Sequence, residues 1–394
     1  MLYSDLINNI VMKSEKRKIA IIAGEVSGDK IGSDLISEIA LVYDIDLYGV
    51  GGEELSRHGL RSLFPYEELS IIGIWDIIKN IFTLRKRVNS TVKSIVAYKP
   101  ELLIIIDSPE FTHRVAKKVK KVMPNLTVIN YVSPTIWFWR QGRGKEMSEY
   151  ITHVLSIYPF EPALYKKLNG PPCTYVGNPL FENILNNKLN RKEIENKNKT
   201  IVFMPGSRKS EIEKLLPPCV TAFREIKKLG YEFNIEIPTF DHFADYIKEK
   251  FVNTGINYSI YSSDSKKINS FWHSDFAITA SGSATLELAA CRLPMIVIYK
   301  LTIVNSIFAS AILKINNLKN VSFSLPNLIS QKKIIPELLQ SDCNSKKITA
   351  ELLKMFNDSN MINDQLSVFD NIHEIMRVKV RPEKAAADII RGYL

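Results

Sequence analysis

Several features that would assign this chain of 394 residues to a class of protein at once are missing from its sequence. Its four cysteines are far apart and form no C-x-x-C pair, which argues against a zinc site and a disulfide framework and favours a reducing compartment. No stretch reaches about 18 consecutive apolar residues, so we expect no membrane-spanning helix. The N-terminus has no basic region before an apolar run, and we expect no signal peptide.

The charge balance is positive but does not identify a partner. Lys and Arg number 52 against 42 Asp and Glu, a formal net charge of +10, while 45% hydrophobic residues indicate a globular protein. The excess is compatible with nucleic acid, an anionic membrane surface, a polyanionic substrate, or simply a basic proteome. At about 150 residues per domain, the length predicts two domains.

Short apolar runs alternate with amphipathic stretches along most of the chain. KIAIIAG, DLYGVGG, LLIIID, TVINYV and ITHVLSIY are strand candidates in the first half, and TIVFMPG, EFNIEIPT, INYSIYS, FAITASG and PMIVIYK in the second. Strands that are apolar on both faces indicate parallel sheets covered by helices on both sides. The polar segment 186–199 resembles a linker, so we predict α/β domains over residues 1–185 and 186–394. The final helix is free to pack back on either domain.

In such a fold, ligands bind beyond the carboxyl ends of the strands, and a cleft between the two domains is the expected active site. The turn Gly24–Asp29, which contains Ser27, opens a helix and either binds a ligand or merely connects strand to helix, with Asp29 as a cap. Asp107 ends a buried apolar strand, where a raised pKa would suit a general base. The alternative role for Asp107 is a helix cap.

The stretch Tyr131–Arg140 combines Trp137, Phe138, Trp139 and Arg140 after another strand. Aromatic faces and a guanidinium suit the binding of an anionic ligand. Packing between domains is the alternative for at least one tryptophan.

Two turns in the second half carry phosphate-binding character. In Pro205–Glu211, backbone N–H groups with Ser207 and Arg208 suit a phosphate, although the spacing is not that of a P-loop. In Ser281–Glu287, small residues precede a helix and Glu287 is placed to accept hydrogen bonds from ribose hydroxyls. Together the two turns favour a nucleoside diphosphate over simple capping.

A further stretch, Ile71–Ile95, is amphipathic, with apolar residues near one helical face and basic residues around it. An apolar face bordered by Lys and Arg suits an anionic bilayer, whereas an ordinary helix would bury that face in the core. The predicted membrane contacts are Trp75, Phe82, Arg85, Lys86 and Arg87.

These motifs, taken in order, resemble lipid-A-disaccharide synthase, a bacterial glycosyltransferase family of inner-membrane lipid A assembly. The matching segments are AGEVSGD, GVGG, EELSIIGIWDII, IDSPEF, YVSPTIWFWRQGR, PFEPALY, VGNPL, PGSRKSEI, SGSATLE, SLPNLI and PELLQ. The resemblance implies a GT-B fold of two Rossmann-like domains whose parallel sheets face each other across a cleft. It implies a cytoplasmic enzyme, peripheral on the inner face of the cytoplasmic membrane.

The implied reaction joins a UDP-2,3-diacylglucosamine donor to a 2,3-diacylglucosamine 1-phosphate acceptor, giving the β-1,6-linked disaccharide 1-phosphate and UDP. The resemblance places Asp107 at the candidate base and Arg208 on the Gly-Ser-Arg turn, and both are predicted to be catalytic. The predicted substrate-binding residues are Ser27, Asp29, Ser133, Trp139, Arg140, Ser207, Gly282, Ser283, Thr285, Glu287 and Asn327.

Four positions depart from the family pattern. Asn130 and Asn178 stand where the family has histidine, so a histidine base is not available at either place. Lys300 replaces an arginine and Ser283 a threonine, and Lys300 offers a point charge in place of a fork.

We expect no metal and no cofactor, because Asp107 can take the acceptor proton while Arg208 and the turn at Ser283 hold the diphosphate. A UDP-sugar epimerase on a GT-B-like scaffold is the alternative function. A nucleic-acid-binding protein is disfavoured, because the charge is spread and the motifs lie at strand ends. The sequence is compatible with a homodimer.

Overall fold

The computed structural model describes residues 16–70, 81–137, 141–186, 198–300 and 322–394. The chain divides into two compact units, Met1–Pro179 with Val378–Leu394, and Leu180–Arg377. The division at Pro179 precedes the polar segment 186–199, and the end of the chain belongs to the first unit.

The first unit contains a seven-stranded sheet in the order β3-β2-β1-β4-β5-β6-β7, and every strand pair is parallel. Its strands are β1 (Lys16–Ala23), β2 (Asp44–Val50), β3 (Arg61–Ser62), β4 (Leu102–Ile106), β5 (Thr127–Tyr131), β6 (His153–Ser156) and β7 (Cys173–Tyr175). Its helices are α1 (Val26–Ile39), α2 (Glu53–Ser56), α3 (Glu67–Ser70), α4 (Ile81–Tyr98), α5 (Pro109–Val122), α6 (Gln141–Met147) and α7 (Glu161–Lys167). Helix α8 (Pro179–Asn186) begins at the division between the units.

Both faces of this sheet are buried, which explains the unbroken apolar runs. Leu102–Ile106 is fully buried, and its alternate residues enter two different hydrophobic clusters. Leu103 and Ile105 pack on one face, whereas Ile104 and Ile106 pack on the other. The last helix of the chain (Pro382–Arg391) packs against α1 and adds Ile390 to the second cluster.

The second unit contains a six-stranded parallel sheet in the order β10-β9-β8-β11-β12-β13. Its strands are β8 (Lys199–Met204), β9 (Phe233–Pro238), β10 (Asn257–Tyr261), β11 (Phe276–Ala280), β12 (Met295–Tyr299) and β13 (Glu337–Leu339). Its helices are α9 (Lys209–Lys228), α10 (Asp241–Phe251), α11 (Asp264–His273), α12 (Ala284–Ala290), α13 (Leu325–Ser330), α14 (Ser345–Asn357) and α15 (Ser359–Met376), and the final helix of the chain is α16 (Pro382–Arg391). The two parallel α/β sheets confirm the predicted fold class.

The strand order of each sheet contains one point where the chain changes direction across the sheet. In the first unit this point lies between β1 and β4, and in the second between β8 and β11. Ligands of open α/β sheets bind outside the carboxyl ends of the strands at such a point. The segments that follow these four strands are therefore where the site of each unit is expected.

Within the described ranges, none of the helices combines the length and the apolar character that crossing a bilayer requires.

Candidate active site

Asp107 and Ser108 follow β4 at the switch point of the first unit. Both have a left-handed backbone conformation, with φ of 54° and 42°. Residues other than glycine rarely adopt this conformation. The hydroxyl of Thr112 donates to the carbonyl of Asp107 at 2.8 Å and so holds this turn from the first turn of α5. Strained residues that the surroundings hold in place are typical of functional sites.

Two glycines at the beginning of α1 make room for these residues: Gly24 precedes the helix and Gly28 lies in its first turn. A Cβ on Gly24 would lie 2.2 Å from Oγ of Ser108, and one on Gly28 would lie 2.9 Å from Oδ2 of Asp107. Only a residue without a side chain permits both approaches. The glycines thus bring the start of α1 against the carboxylate of Asp107.

The electrostatic surroundings of Asp107 suit it to accept a proton. Burial raises the pKa of Asp107 from its ordinary value of 3.8 to about 6, and the negative charge of Glu25 acts in the same direction. Ser27 donates to Oδ2 at 3.2 Å and partly opposes this rise in pKa. The carboxylate is therefore ionised at neutral pH yet basic enough to take up a proton. The sequence patterns did not point to Glu25.

Asp29 serves the protein backbone instead of a ligand. Its side chain is buried, and its carboxylate accepts from the N–H of Gly52 at 2.6 Å, Glu54 at 2.9 Å and Leu55 at 3.4 Å. Asp29 therefore caps the N-terminus of α2, which is distant in sequence. It does not cap α1, because α1 already begins at Val26. Both carboxylate oxygens are used in this way, which departs from the expectation of a substrate contact.

Ser133 lies buried after β5. Its hydroxyl donates to the carbonyl of Pro134 at 3.1 Å and lies 2.9 Å from the hydroxyl of Tyr165. Burial also raises the pKa of neighbouring Glu161 well above its usual range, an effect that Ser133 partly opposes. These contacts make Ser133 part of a buried polar cluster.

Trp137 packs edge-on against Tyr158, and both residues belong to the first unit.

Trp139 and Arg140 lie outside the described residues, so their predicted contacts stay predictions. Asn130, at one of the positions where the family has histidine, is buried and donates to the carbonyls of Ile105 at 3.4 Å and Val132 at 3.1 Å. Its amide therefore braces the strand ends beside Asp107.

In the second unit, the turn after β8 presents Ser207 and Arg208 at the start of α9. Gly206 has φ of 122°, a value that favours glycine, and Glu211 folds back to accept from the N–H of Ser207 at 3.1 Å. Glu211 also pairs with Arg208 at 3.2 Å, but the Arg208 side chain is 76% exposed. The guanidinium thus lies at the surface, on a turn fixed by Glu211.

The turn after β11 brings Gly282 and Ser283 to the surface. Among the described residues, no atom would lie within 4 Å of a Cβ on Gly282, and the buried hydroxyl of Thr285 donates back to the carbonyl of Gly282 at 2.8 Å. Glu287 is only 7% exposed, and its Oε2 pairs with Nζ of Lys267 at 2.6 Å. Thr285 therefore stabilises the turn, and Lys267 compensates the buried charge of Glu287.

Asn327 is buried and fully used by the protein. Its Oδ1 accepts from the N–H of Ile334 at 3.2 Å and of Ile335 at 3.0 Å, and its Nδ2 donates to the carbonyl of Ile335 and to Glu337, both at 2.9 Å. An amide with two bonds at each end has little capacity left for a ligand. The predicted substrate contact through this side chain is therefore not supported by its geometry.

The predicted membrane segment divides into parts of different character. Trp75 and the side chain of Phe82 lie outside what the structure describes. In α4 the apolar residues Leu84, Val88 and Ile95 pack into the core, as in the alternative interpretation of an ordinary amphipathic helix.

The basic residues of α4 also differ from one another. Arg87 is bound by both oxygens of Glu68 at 2.9 Å and lies 4.9 Å above the ring of Phe64, so its charge is compensated within the protein. Arg85 and Lys86 are exposed, and their contact with a membrane stays a prediction.

Comparison with known sequences covers nearly the whole chain and reaches into both units. The family model described as Lipid-A-disaccharide synthetase matches residues 19–390. A Lipid-A-disaccharide synthase of Nitrobacter winogradskyi is 37% identical over 380 residues, covering 95% of each chain. One of Rickettsia bellii is 33% identical and covers 95% of this chain and 98% of the relative.

Solved structures with the same fold are more distant in sequence. MurG of Acinetobacter baumannii superposes with a TM-score of 0.59 at 12% identity, over 96% of this chain and 100% of the other. UDP-GlcNAc 2-epimerase of Neisseria meningitidis, bound to UDP-GlcNAc, gives a TM-score of 0.58 at 11% identity, over 96% and 98%. These likenesses confirm the GT-B fold.

Proposed function

The chain belongs to the lipid-A-disaccharide synthetase family, and from this premise we infer the reaction that its two units carry out. It is a glycosyltransferase that uses a UDP-sugar donor. The donor is UDP-2,3-diacylglucosamine, the acceptor is 2,3-diacylglucosamine 1-phosphate, and the products are the β-1,6-linked disaccharide 1-phosphate and UDP. The observation that carries this proposal is that the family match spans both units, including the segments at the switch point of each sheet.

Asp107 is the general base of the proposed mechanism. Direct displacement at the anomeric carbon requires removal of the proton from the acceptor 6-hydroxyl as the new bond forms. A carboxylate with a pKa of about 6 is mostly deprotonated at neutral pH and still binds a proton far better than an ordinary aspartate. At the start of α1, Ser27 donates a hydrogen bond to Oδ2, and Gly28 leaves room for that oxygen. Asn130 and Asn178 cannot take this role, because an amide does not accept a proton at neutral pH.

The second unit stabilises the departing UDP in this proposal. Negative charge develops on the diphosphate as the glycosidic bond breaks, and a guanidinium at that place lowers the barrier. Arg208 suits this role because its charged side chain is exposed and lies on a turn that Glu211 stabilises. Ser207, Gly282 and Ser283 supply further polar contacts, and Glu287 accepts from the ribose hydroxyls.

An epimerase on the same scaffold is not favoured. The Neisseria meningitidis epimerase that shares the fold is 11% identical, which speaks for architecture alone, whereas the two synthases named above are 37% and 33% identical. An epimerase would act on a UDP-sugar alone, without a lipid acceptor. The two functions therefore differ in what the second substrate must be.

Mass spectrometry of the products tests the proposed function. Incubation with both diacylated sugars is expected to give one disaccharide 1-phosphate for each UDP released. Incubation with the UDP-sugar alone is expected to leave it unchanged. Release of UDP without a disaccharide, or isomerisation of the UDP-sugar, would overturn the proposal.

We also propose that α4 contacts an anionic membrane surface through Arg85 and Lys86. Each basic residue near such a surface contributes about 1 kcal/mol, so the variant Arg85→Ala/Lys86→Ala should bind anionic vesicles about 30-fold more weakly. Sedimentation with phosphatidylglycerol-containing vesicles measures this, and vesicles of phosphatidylcholine alone give the background. Lys166→Ala/Lys167→Ala removes two exposed charges from α7 of the same unit and should change binding far less. Equal losses for the two variants would contradict a specific contact.

A further inference from the structure

The carboxylate of Glu337 is the centre of a hydrogen-bond network beside the nucleotide turn of the second unit. Oε1 accepts from the N–H of Ser324 at 2.9 Å, the hydroxyl of Ser324 at 2.8 Å and Nδ2 of Asn327 at 2.9 Å. Oε2 accepts from the N–H of Phe323 at 2.9 Å. Four donors on one carboxylate fix the segment 323–327 firmly, because hydrogen bonds to a charged acceptor are among the stronger ones in proteins.

Asn327 closes the other side of this network. Besides its bond to Glu337, it bonds the backbone of Ile334 and Ile335, just before β13 begins. Asn327 and Ser324 are both buried, so these bonds are shielded from water. In such surroundings, an unpaired polar group is costly, and the network tends to form as a whole.

One peptide group connects this network to the turn after β11. The N–H of Ser324 and the carbonyl of Phe323 belong to the same peptide unit. The N–H donates to Glu337, and the carbonyl accepts from the hydroxyl of Ser281 at 2.7 Å. Because a trans peptide is planar, its N–H and carbonyl point in opposite directions, and rotating it would break both bonds. A charged acceptor on the N–H also strengthens the carbonyl as an acceptor, so the two bonds support each other.

The strand register brings Glu337 close to this turn. Glu337 pairs with Val297, which in turn pairs with Thr279, two residues before Ser281. The carboxylate is thus level with the end of β11, although 56 residues separate it from Ser281 along the chain (337 − 281).

We propose that Glu337 is a positioning residue for the nucleotide donor, which acts through the peptide 323–324 and Ser281 on the turn Ser281–Ser283. Glu337 itself does not touch the donor. Its carboxylate holds the peptide, the peptide holds Ser281, and Ser281 sets the path of Gly282 and Ser283. The inference rests on the proposed function, since it presumes that this turn binds UDP. Asn327 belongs to the same hydrogen-bond network, which explains why this asparagine is buried although it contacts no ligand in our proposal.

Binding of UDP, measured by isothermal titration calorimetry on the full chain, tests this inference without requiring turnover. Glu337→Gln replaces one acceptor oxygen with an NH2 donor that meets N–H groups, and removes the charge. We expect it to weaken UDP binding about 10-fold or more, in line with the loss of a charge-assisted bond. Ser281→Ala removes only the connecting hydroxyl and should weaken UDP binding by a smaller factor.

The variant Glu337→Gln/Ser281→Ala tests whether Glu337 acts on the turn through the peptide 323–324 and Ser281. If both residues act through one peptide, Glu337→Gln/Ser281→Ala should bind UDP no more weakly than Glu337→Gln alone, whereas independent effects would multiply. In steady-state kinetics, the KM of the donor should rise more in Glu337→Gln than in Ser281→Ala, and no further in the double variant. The KM of the acceptor should stay unchanged. Glu225→Gln is the matched control, because Glu225 is exposed on α9 of the same unit and its ion pair among the described residues is with Lys228 on the same helix.

The outcomes separate the two proposals. A wild-type protein that does not bind UDP would overturn the proposed function, and with it this inference. A wild-type protein that binds UDP together with a Glu337→Gln variant that binds equally well would overturn the inference alone, as would fully multiplicative effects in the double variant. If Glu337→Gln loses its folded near-UV signal, Ser281→Ala decides, and wild-type UDP affinity in that variant would overturn the inference.

Discussion

Replacing Asp107 with Asn should lower kcat by about 10²- to 10⁴-fold, the usual contribution of a positioned general base. The same change should raise the Tm at neutral pH. Burial and the nearby charge of Glu25 raise the pKa of Asp107 to about 6, which means that the folded protein resists the ionised form. Asparagine has the same shape and no charge, so it removes this unfavourable term. Activity and stability are therefore expected to move in opposite directions, as at other strained functional sites.

The pH dependence of both quantities follows from the same pKa. Below about pH 6 the base of the wild-type protein is protonated, and its kcat should fall. The unfolded chain releases this proton near pH 3.8, so the folded protein binds it more tightly. The stability advantage of Asp107→Asn should thus be absent below about pH 4, grow between about pH 4 and 6, and stay constant above.

Thermal melts at several pH values and single-turnover kinetics check these expectations. Asp44→Asn is the control, because Asp44 is exposed at the opposite end of the sheet, where β2 begins. This variant should show neither effect. Near-normal turnover of Asp107→Asn with an intact fold would exclude Asp107 as the base.

The position of the candidate site could be predicted from the sequence because buried parallel strands leave a strong signal. The fully apolar run Leu102–Ile106 stops at Asp107, and such a run has to end at an edge of the sheet. The turns at Gly206 and Gly282 follow β8 and β11 in the same manner. The strands β3, β7 and β13 went unpredicted, since two or three residues are too few to show a periodicity.

The roles of individual polar residues could not be predicted in the same way. Asp29 and Asn327 are polar residues in the expected segments, but the sequence does not tell whether backbone groups already use their hydrogen-bonding capacity. Glu337 is 13 residues from Ser324 and 56 from Ser281, so its influence on the turn depends on strand register alone (337 − 324; 337 − 281). Contacts of this kind come from tertiary structure, and no local pattern encodes them.

Replacing Arg208 with Ala should lower the activity strongly and leave the stability of the protein unchanged. Removing a charged group that stabilises developing charge in a transition state costs about 10²- to 10³-fold in rate, and we expect this loss of kcat for Arg208→Ala. The side chain is 76% exposed, and its single described ion pair, to Glu211, is a surface pair. Such pairs contribute little to folding, so the Tm should stay within the error of the measurement. The turn itself should persist, because Glu211 still accepts from the N–H of Ser207.

Two further variants distinguish a specific role of this guanidinium from a general effect of charge. Arg208→Lys keeps the charge but loses the planar fork that binds two phosphate oxygens at once, so its activity should lie between those of Arg208→Ala and the wild type. Lys209→Ala removes the neighbouring charge, which is 79% exposed and also pairs with a glutamate on α9. If the positive charge of the surface alone attracts the donor, Lys209→Ala should lose as much activity as Arg208→Ala, and both losses should shrink in high salt. If Arg208 holds the diphosphate directly, only its own variants should lose kcat, and the ratio between Arg208→Lys and Arg208→Ala should persist in high salt.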